Sequence, residues 1–130
     1  MKFGYTIVYV SSVGEALRFY KEAFGFDIRF LHESGEYGEL ESGETTLAFA
    51  SHTMGKLNLL GDYQPTDRHE PPLGIELAFV TDDVAAAYAQ ALAAGAAPVA
   101  APTEKPWGQT VAYVRAHDGE LIELCSPMGS

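Results

Sequence analysis

The chain has 130 residues and a formal net charge of −10, with 47% hydrophobic and 20% charged residues. This length suits one compact domain with a buried core, and the acidity argues against a nucleic-acid partner, whose phosphates attract basic surfaces. The single cysteine, Cys125, excludes an intrachain disulfide and favours the cytoplasm, and no apolar run reaches the roughly 20 residues of a membrane span.

A first module is predicted over residues 1–51. Residues 3–10, FGYTIVYV, are rich in aromatic and β-branched side chains, which is typical of a strand. Ser12 and Glu15 fit the capping box of a helix, which continues with apolar residues at helical spacing until Gly25 ends it. Three further strands are predicted, over 26–33, 36–41 and 45–51.

The segment 52–74 is rich in proline and glycine and is predicted to be a linker, with a short strand at Leu57–Leu60. A second module follows over 75–126. Asp82 and Asp83 offer an N-cap for a helix over Val84–Ala94, which ends at Gly95. The strands of this module are predicted from Ile75 and over 97–99, 110–115 and 120–125, with a loop at Ala101–Gln109.

The two modules repeat one layout. Aligning Tyr5 with Glu76 also aligns Ser12 with Asp83, and later Gly43–Leu47 matches Gly119–Glu123. Each half is therefore predicted to be β-α-β-β-β, in which a single helix covers one face of a four-stranded sheet. Two such sheets bury their other faces if they close into an incomplete barrel. We predict this α+β architecture, with a ligand cavity inside.

Three segments carry a resemblance to a known family: VYVSSVGEALRFYKEAFGF, FVTDDVAAAYAQALAAGA and PWGQTVAYVRAHDGELIELCSP. In order and spacing they resemble the vicinal oxygen chelate superfamily, which includes glyoxalase I, bleomycin and fosfomycin resistance proteins and extradiol dioxygenases. The resemblance implies paired βαβββ modules. It also implies a homodimer whose site forms between the first module of one chain and the second module of the other.

In metal-dependent members of that family, the first and last strands of each module carry the ligands. The resemblance transfers these positions to Tyr5, Leu47, Glu76 and Glu123. Glu123 matches the usual ligand in type and place. Leu47 cannot coordinate a metal, and Tyr5 is a poor ligand because the pKa of a phenol is about 10. The four histidines, His32, His52, His69 and His117, show no zinc-type spacing. We therefore expect no metal and no other cofactor. His117 is expected to be exposed in a turn, and His52 is a candidate for a position at the cavity mouth.

Glu76 and Glu123 are predicted to point from neighbouring strands of the second module into the cavity. Three interpretations remain open. Arg115 on the adjacent strand could form a structural ion pair with Glu123. The two carboxylates could orient a ligand such as an amine or guanidinium. They could also share a proton and act as a catalytic acid and base.

Aromatic side chains form the second predicted feature of the cavity. Tyr5, Tyr9, Phe49, Trp107 and Tyr113 are expected to line or cap it. Trp107, between Pro106 and Gly108, is the best candidate for a stacking wall, and the alternative is that it closes the hydrophobic core at the rim.

The sequence thus favours a glyoxalase/bleomycin resistance-like protein that binds a small aromatic or cationic molecule without a complete metal site. The predicted ligand contacts are Tyr5, Phe49, Trp107, Tyr113, Arg115 and Glu123. The first alternative is a divalent-metal-dependent lyase or isomerase of the glyoxalase type that uses Glu76 and Glu123. The second is a non-catalytic interaction domain.

Overall fold

The computed structural model describes residues 1–128, and the chain divides into two compact units. The first unit is Met1–Pro65, and the second begins at Thr66, inside the segment predicted to be the linker. Each unit contains one four-stranded sheet and one long helix in the order β-α-β-β-β. The predicted α+β class with paired βαβββ modules is confirmed.

The first unit contains four strands and two helices: β1 Tyr5–Val10, α1 Val13–Phe24, β2 Asp27–Leu31, β3 Tyr37–Glu41, β4 Thr46–Ser51 and α2 His52–Leu59. The strand order in its sheet is β1-β4-β3-β2, with β1 parallel to β4 and the other pairs antiparallel. The connection through α1 makes β2 run in the direction of β1, and two antiparallel pairs then bring β4 beside β1 in that same direction.

Helix α1 begins and ends where the sequence predicts. The Ser12 hydroxyl accepts a hydrogen bond from the Glu15 amide at 3.3 Å, and Gly25 closes the helix in the left-handed conformation, with φ of 79°. The buried stripe of α1 packs on the sheet, where the Tyr20 and Phe49 rings lie 4.8 Å apart. This contact fixes which face of the first sheet the helix covers.

Helix α2 corrects the prediction of a short strand at Leu57–Leu60. The Ser51 hydroxyl accepts from the Met54 amide at 3.1 Å, so the residue that ends β4 also caps α2. Gly55, which argued against a helix in the sequence, is needed because the Tyr9 ring lies 2.9 Å from where a Cβ would stand. Leu60 ends the helix with φ of 60°, an uncommon conformation for a non-glycine residue.

The second unit contains β5 Glu76–Val80, α3 Val84–Ala93, β6 Ala97–Glu104, β7 Thr110–Arg115 and β8 Leu121–Cys125. The strand order is β5-β8-β7-β6, the same arrangement as in the first unit. Asp83 caps α3 by accepting from the Ala86 amide at 3.0 Å. Helix α3 covers the β6–β7–β8 part of its sheet.

Strand β6 is longer than predicted and includes Pro98 and Pro102. It lies at the edge of the sheet, where a proline without an N–H donor is tolerated, and its pairing with β7 is irregular at two places. The predicted loop Ala101–Gln109 therefore begins only after Glu104. Within residues 1–128, no helix is long and apolar enough to cross a membrane.

Candidate functional site

Side-chain alternation gives each sheet two faces. In the first unit, Phe49 contacts α1, so its register partner Val8 also faces that helix, and Tyr5, Ile7 and Tyr9 face the other way. We call the side opposite the long helix the helix-free face of each unit. In the second unit, the buried residues Ile122 and Leu124 face α3. The helix-free face of the second unit contains Glu76, Ala78, Val80, Tyr113, Glu123 and Cys125.

Two carboxyl groups meet on the helix-free face of the second unit. Glu76 pairs in register with Leu121, and Ala78 pairs with Glu123, so Glu76 and Glu123 are diagonal neighbours on one face. Desolvation raises the pKa of Glu76, and the Glu123 charge together with a hydrogen bond between the two carboxyl groups raises it further. The structure thus brings together the two residues that the sequence proposed as a pair.

Tyr113 holds Glu123 in place. Its phenol donates to Glu123 Oε1 at 2.8 Å, and this hydrogen bond, assisted by desolvation, raises the pKa of Tyr113 to about 12. Cys125 is buried next along the same face, and desolvation together with a hydrogen bond to Glu123 raises the pKa of its thiol. Glu123 is therefore an acceptor for neutral donors, and Cys125 stays a protonated, buried thiol near neutral pH.

Arg115 does not pair with Glu123, so the predicted structural ion pair is wrong. Its three nitrogens bind main-chain carbonyls: Nε donates to Gly119 at 2.9 Å, Nη1 to Glu70 at 2.8 Å and Nη2 to Asp67 at 2.9 Å. Because all its nitrogens are engaged, Arg115 is also a poor candidate for direct ligand contact. Within residues 1–128, no salt bridge includes Glu76 or Glu123.

Trp107 lies at the tip of the β6–β7 hairpin, with 61% of its surface exposed. The alternative that it closes the hydrophobic core is therefore wrong. Its indole N–H donates to Gln109 Oε1 at 2.8 Å, and the Gln109 amide donates to the Ser126 carbonyl at 2.8 Å. The hydrogen bond to Gln109 holds the indole ring in place, and its exposed surface can stack against a ligand. Three residues of β7 separate the hairpin from Tyr113, a distance of roughly 10 Å, so the structure does not place Trp107 directly beside the carboxylates.

Phe49, predicted to contact a ligand, is fully buried against Tyr20 of α1, so this prediction is wrong. The transfer of a metal-ligand position to Leu47 is also wrong, because Leu47 is buried on the same face as Phe49. The register pairs Ile7 with Ala48 in the first unit and Ala78 with Glu123 in the second, so Ala48 is the equivalent of Glu123 once Tyr5 and Glu76 are matched. A one-residue shift moves every side chain of a strand to the other face.

A network that sequence reasoning missed occupies the helix-free face of the first unit. Arg29 donates from Nη1 to Glu39 at 3.0 Å and, from Nε and Nη2, to both oxygens of Glu41 at 2.9 and 3.0 Å. The Tyr37 phenol donates to the other Glu39 oxygen at 2.7 Å. Arg29 lowers the pKa of Glu41. The alternating pattern Tyr37-Gly38-Glu39-Leu40-Glu41 was the available signal, since it places three polar residues on one face.

The donor atoms at the family's metal positions do not fit a complete metal site. In the first unit these positions hold the phenol of Tyr5 and the methyl group of Ala48, and the nearby Glu39 is already bound by Arg29. No group of three His, Cys, Asp or Glu residues able to hold a metal occurs within residues 1–128. Two carboxylates of the second unit remain, and we derive no metal-dependent step from them.

Three of the histidines can be placed from local contacts within their own units. His52 begins α2, where its Nδ1 is 2.5 Å from the Tyr63 hydroxyl, and Tyr63 packs on Tyr9 with ring centroids 4.7 Å apart. His32 contacts Ser34. His117 is exposed in the turn closed by the Gly119 amide and the Ala116 carbonyl, as predicted.

Known proteins share both the sequence pattern and the fold. The family model of the Glyoxalase/Bleomycin resistance protein/Dioxygenase superfamily matches residues 2–124. No curated protein matches the chain. Among solved structures, a glyoxalase-related enzyme from Fulvimarina pelagi is 19% identical, with a TM-score of 0.83 over 98% of this chain and 88% of that one. TioX from Micromonospora sp. ML1 is 18% identical, with a TM-score of 0.71 over 97% and 98%.

These likenesses at low identity show the fold, and the family model covers nearly the whole chain. A glyoxalase/bleomycin resistance protein/dioxygenase family enzyme from Burkholderia phytofirmans PsJN adds a further match, at 19% identity and a TM-score of 0.79 over 97% and 98% of the two chains. The chain therefore belongs to the Glyoxalase/Bleomycin resistance protein/Dioxygenase superfamily and has its fold of paired βαβββ modules.

Proposed function

We propose that this protein binds a small organic cation with an aromatic part, on the helix-free face of its second unit and without a metal. The observation that carries the proposal is the Glu76–Glu123 pair, which has neutral donors beside it and no salt bridge to a cation among residues 1–128. Two close carboxylates repel each other when both are charged. A ligand ammonium or amidinium relieves that repulsion and forms charge-assisted hydrogen bonds with both.

The aromatic part of the ligand is suggested by the rings around the pair. Tyr113 adjoins Glu123 directly, and a cation held there lies near its ring, which favours cation–π attraction. Trp107, which is 61% exposed at the tip of the β6–β7 hairpin, remains our candidate for a stacking surface. A ligand that reaches both Glu123 and Trp107 must extend over roughly 10 Å along β7.

A second candidate function is proton transfer at a carbon acid, as in an isomerase or epimerase. One observation favours it: Glu76 is exposed and its raised pKa brings it closer to neutrality, where a carboxyl group exchanges protons efficiently. In this case Glu76 would be the group that takes and returns the proton, and Glu123 with Tyr113 would orient it. Binding of a cation requires no such exchange, so the two candidates separate experimentally.

We extend the proposal to a homodimer that works in the cytoplasm. The family resemblance supports the dimer. The lone, buried Cys125 suits a reducing compartment, where disulfides are rare. The net charge of −10 disfavours a nucleic-acid partner and supports the attraction of cationic ligands to the chain.

The test compares benzamidine, an aromatic amidinium, with benzamide, its neutral counterpart of the same shape, by calorimetric titration. We expect the wild type to bind benzamidine and to show no measurable binding of benzamide. Glu123→Gln and Glu76→Gln should each weaken benzamidine binding about tenfold or more, because each removes a charge-assisted hydrogen bond. Glu104→Gln, on the exposed edge strand β6, serves as the control for loss of one acidic residue.

Equal binding of benzamide and benzamidine, or unchanged affinity in both glutamine variants, would show that the carboxylates do not select the ligand. The proton-transfer candidate is tested separately, by exchange of the C3 protons of a 2-oxo acid, which adjoin its ketone, in deuterated water followed by NMR. Exchange in the wild type that is lost in Glu76→Gln would favour the enzyme over the binding protein.

A further inference from the structure

Arg115 engages every nitrogen of its guanidinium with the protein backbone. Nε binds the Gly119 carbonyl, while Nη1 and Nη2 bind the carbonyls of Glu70 and Asp67, all at 2.8 to 2.9 Å. The first partner belongs to the β7–β8 turn and the other two to the chain that leads into β5. Building on the proposed function, we propose that Arg115 is a positioning residue that fixes the register of β5 and so keeps Glu76 beside Glu123.

The attachment needs the fork of an arginine. Three donors that diverge from one planar group reach three carbonyls at once, whereas the single ammonium of a lysine cannot reproduce this geometry. The acceptors are neutral main-chain carbonyls, so the interaction is a set of hydrogen bonds and not a salt bridge to an acidic side chain. Arg115 is half-buried, which reduces the competition from water for these hydrogen bonds.

Gly119 brings the two segments into direct contact. A Cβ at this position would lie 2.7 Å from the Arg68 nitrogen and 2.7 Å from the Asp67 carbonyl carbon, and its φ of 106° also favours glycine. The segment it touches is itself folded, because the Glu70 amide donates to the Asp67 carbonyl at 3.0 Å. Two turns of the second unit are therefore packed backbone to backbone, with Arg115 bonded to both.

The path from this contact to Glu76 is short and stiff. Pro71 and Pro72 follow Glu70, and two consecutive prolines favour an extended chain with restricted φ. The Ile75 amide then donates to the Leu73 carbonyl at 2.8 Å, immediately before β5 begins. Little slack remains between the segment that Arg115 holds and the strand that carries Glu76.

Strand β5 needs such an anchor because it lies at a sheet edge. In the described part of the chain it pairs with β8 alone, through a register that places Glu76 opposite Leu121. Leu121 in turn lies opposite Arg115 on β7. A slip of one residue would turn Glu76 to the side of α3 and break the carboxylate pair. Arg115 thus anchors the incoming chain in the same row of the sheet that contains Glu76.

The experiment measures hydrogen exchange of β5 amides and benzamidine affinity in the full chain, with urea unfolding as the measure of global stability. In Arg115→Met we expect exchange in β5 to become about tenfold faster or more through local opening. Benzamidine affinity should fall in parallel, while amides of β7 and of β1 keep their protection. Arg115→Lys should show most of the same loss. Arg68→Met is the matched control, since it removes a neighbouring arginine whose side chain contacts only the His69 ring among the described hydrogen bonds.

Wild-type protection of β5 in Arg115→Met would overturn the inference. So would equal loss of protection in β5, β7 and β1, because that would indicate a general role in stability. If Arg115→Met does not fold, Gly119→Ala breaks the same contact from the other turn and should open β5 in the same way. Failure of the wild type to bind benzamidine would reject the proposed function, whereas the exchange data would still decide whether Arg115 fixes β5.

Discussion

The two units place different chemistry on the same framework. At matched register positions, the first unit has Ala48 where the second has Glu123, and Glu39 where the second has Tyr113. Glu39 and Glu41 of the first unit are neutralised within that unit, because Arg29 binds both. Within residues 1–128, no salt bridge includes Glu76 or Glu123 of the second unit, and Arg115 of that unit binds main-chain carbonyls instead. The comparison separates the carboxylates that Arg29 binds from the pair that we propose as the ligand site.

The largest expected effect concerns the aromatic residues of the two units. Phe49→Ala should lower the free energy of unfolding by about 3–5 kcal/mol, because Phe49 is fully buried against Tyr20. Trp107→Ala should change it by less than about 1 kcal/mol, since the ring is exposed at a hairpin tip. Urea unfolding of both variants measures the difference. A similar loss in both would contradict the assignment of Phe49 to the core and Trp107 to the surface.

The next effect concerns Arg29, which we expect to stabilise the first unit. Arg29→Met should lower the urea midpoint at pH 7, because it leaves the buried Glu39 without its cation. Lys21→Met, which removes an exposed ion pair to Asp27, is the matched control and should have little effect.

The pH dependence of the stability of Arg29→Met gives a sharper test of the Arg29 ion pairs. Arg29 lowers the pKa of Glu41 in the folded chain, so the stabilisation is fully present above the ordinary value of 4.5 and is lost as the pH falls through the lowered value. The difference in stability between wild type and Arg29→Met should therefore shrink in acid. A difference that stays constant from pH 7 to pH 3 would indicate that the ion pairs do not contribute.

The ionisation of Glu76 should affect stability in the opposite direction to that of Glu41, and by a smaller amount. Its pKa is raised in the folded chain, so its ionisation costs stability above that value, and stability returns as the pH falls through it. Glu76→Gln should raise the free energy of unfolding at pH 7 by less than about 1 kcal/mol, because the residue is exposed, and should have no effect near pH 4. The change is measured as a slightly higher melting temperature at pH 7. A variant that is less stable than wild type at pH 7 would contradict the account of Glu76 as a carboxylate whose charge no cation of the protein offsets within residues 1–128.

The elements with local signals could be predicted from the sequence. Helices α1 and α3 have strong caps at Ser12 and Asp83, and the strands have turn residues at their ends, so both modules were found. Helix α2 was missed because its cap, Ser51, also ends a strand, and because Gly55 weakens the helical pattern. The reason for that glycine is the Tyr9 ring, which is distant in sequence.

The face on which each candidate side chain lies was predicted correctly only where the strand register was right. Glu76 and Glu123 were paired correctly in the second unit. In the first unit, an alignment that was one residue out put both Leu47 and Phe49 on the wrong face, since side chains alternate along a strand. The partners of Arg115 lie in a segment without regular structure far along the chain, and no local pattern indicates such a contact.

The central claim is that the second unit leaves two coupled carboxylates for a cationic ligand. The most direct test is the affinity for benzamidine from pH 4 to pH 8 in the wild type and in Glu76→Gln. The account predicts that wild-type affinity rises with pH through the raised pKa of Glu76, with release of a proton on binding, and that Glu76→Gln shows weaker binding with little dependence on pH. Affinity that is independent of pH in the wild type, or absent at pH 8, would contradict it.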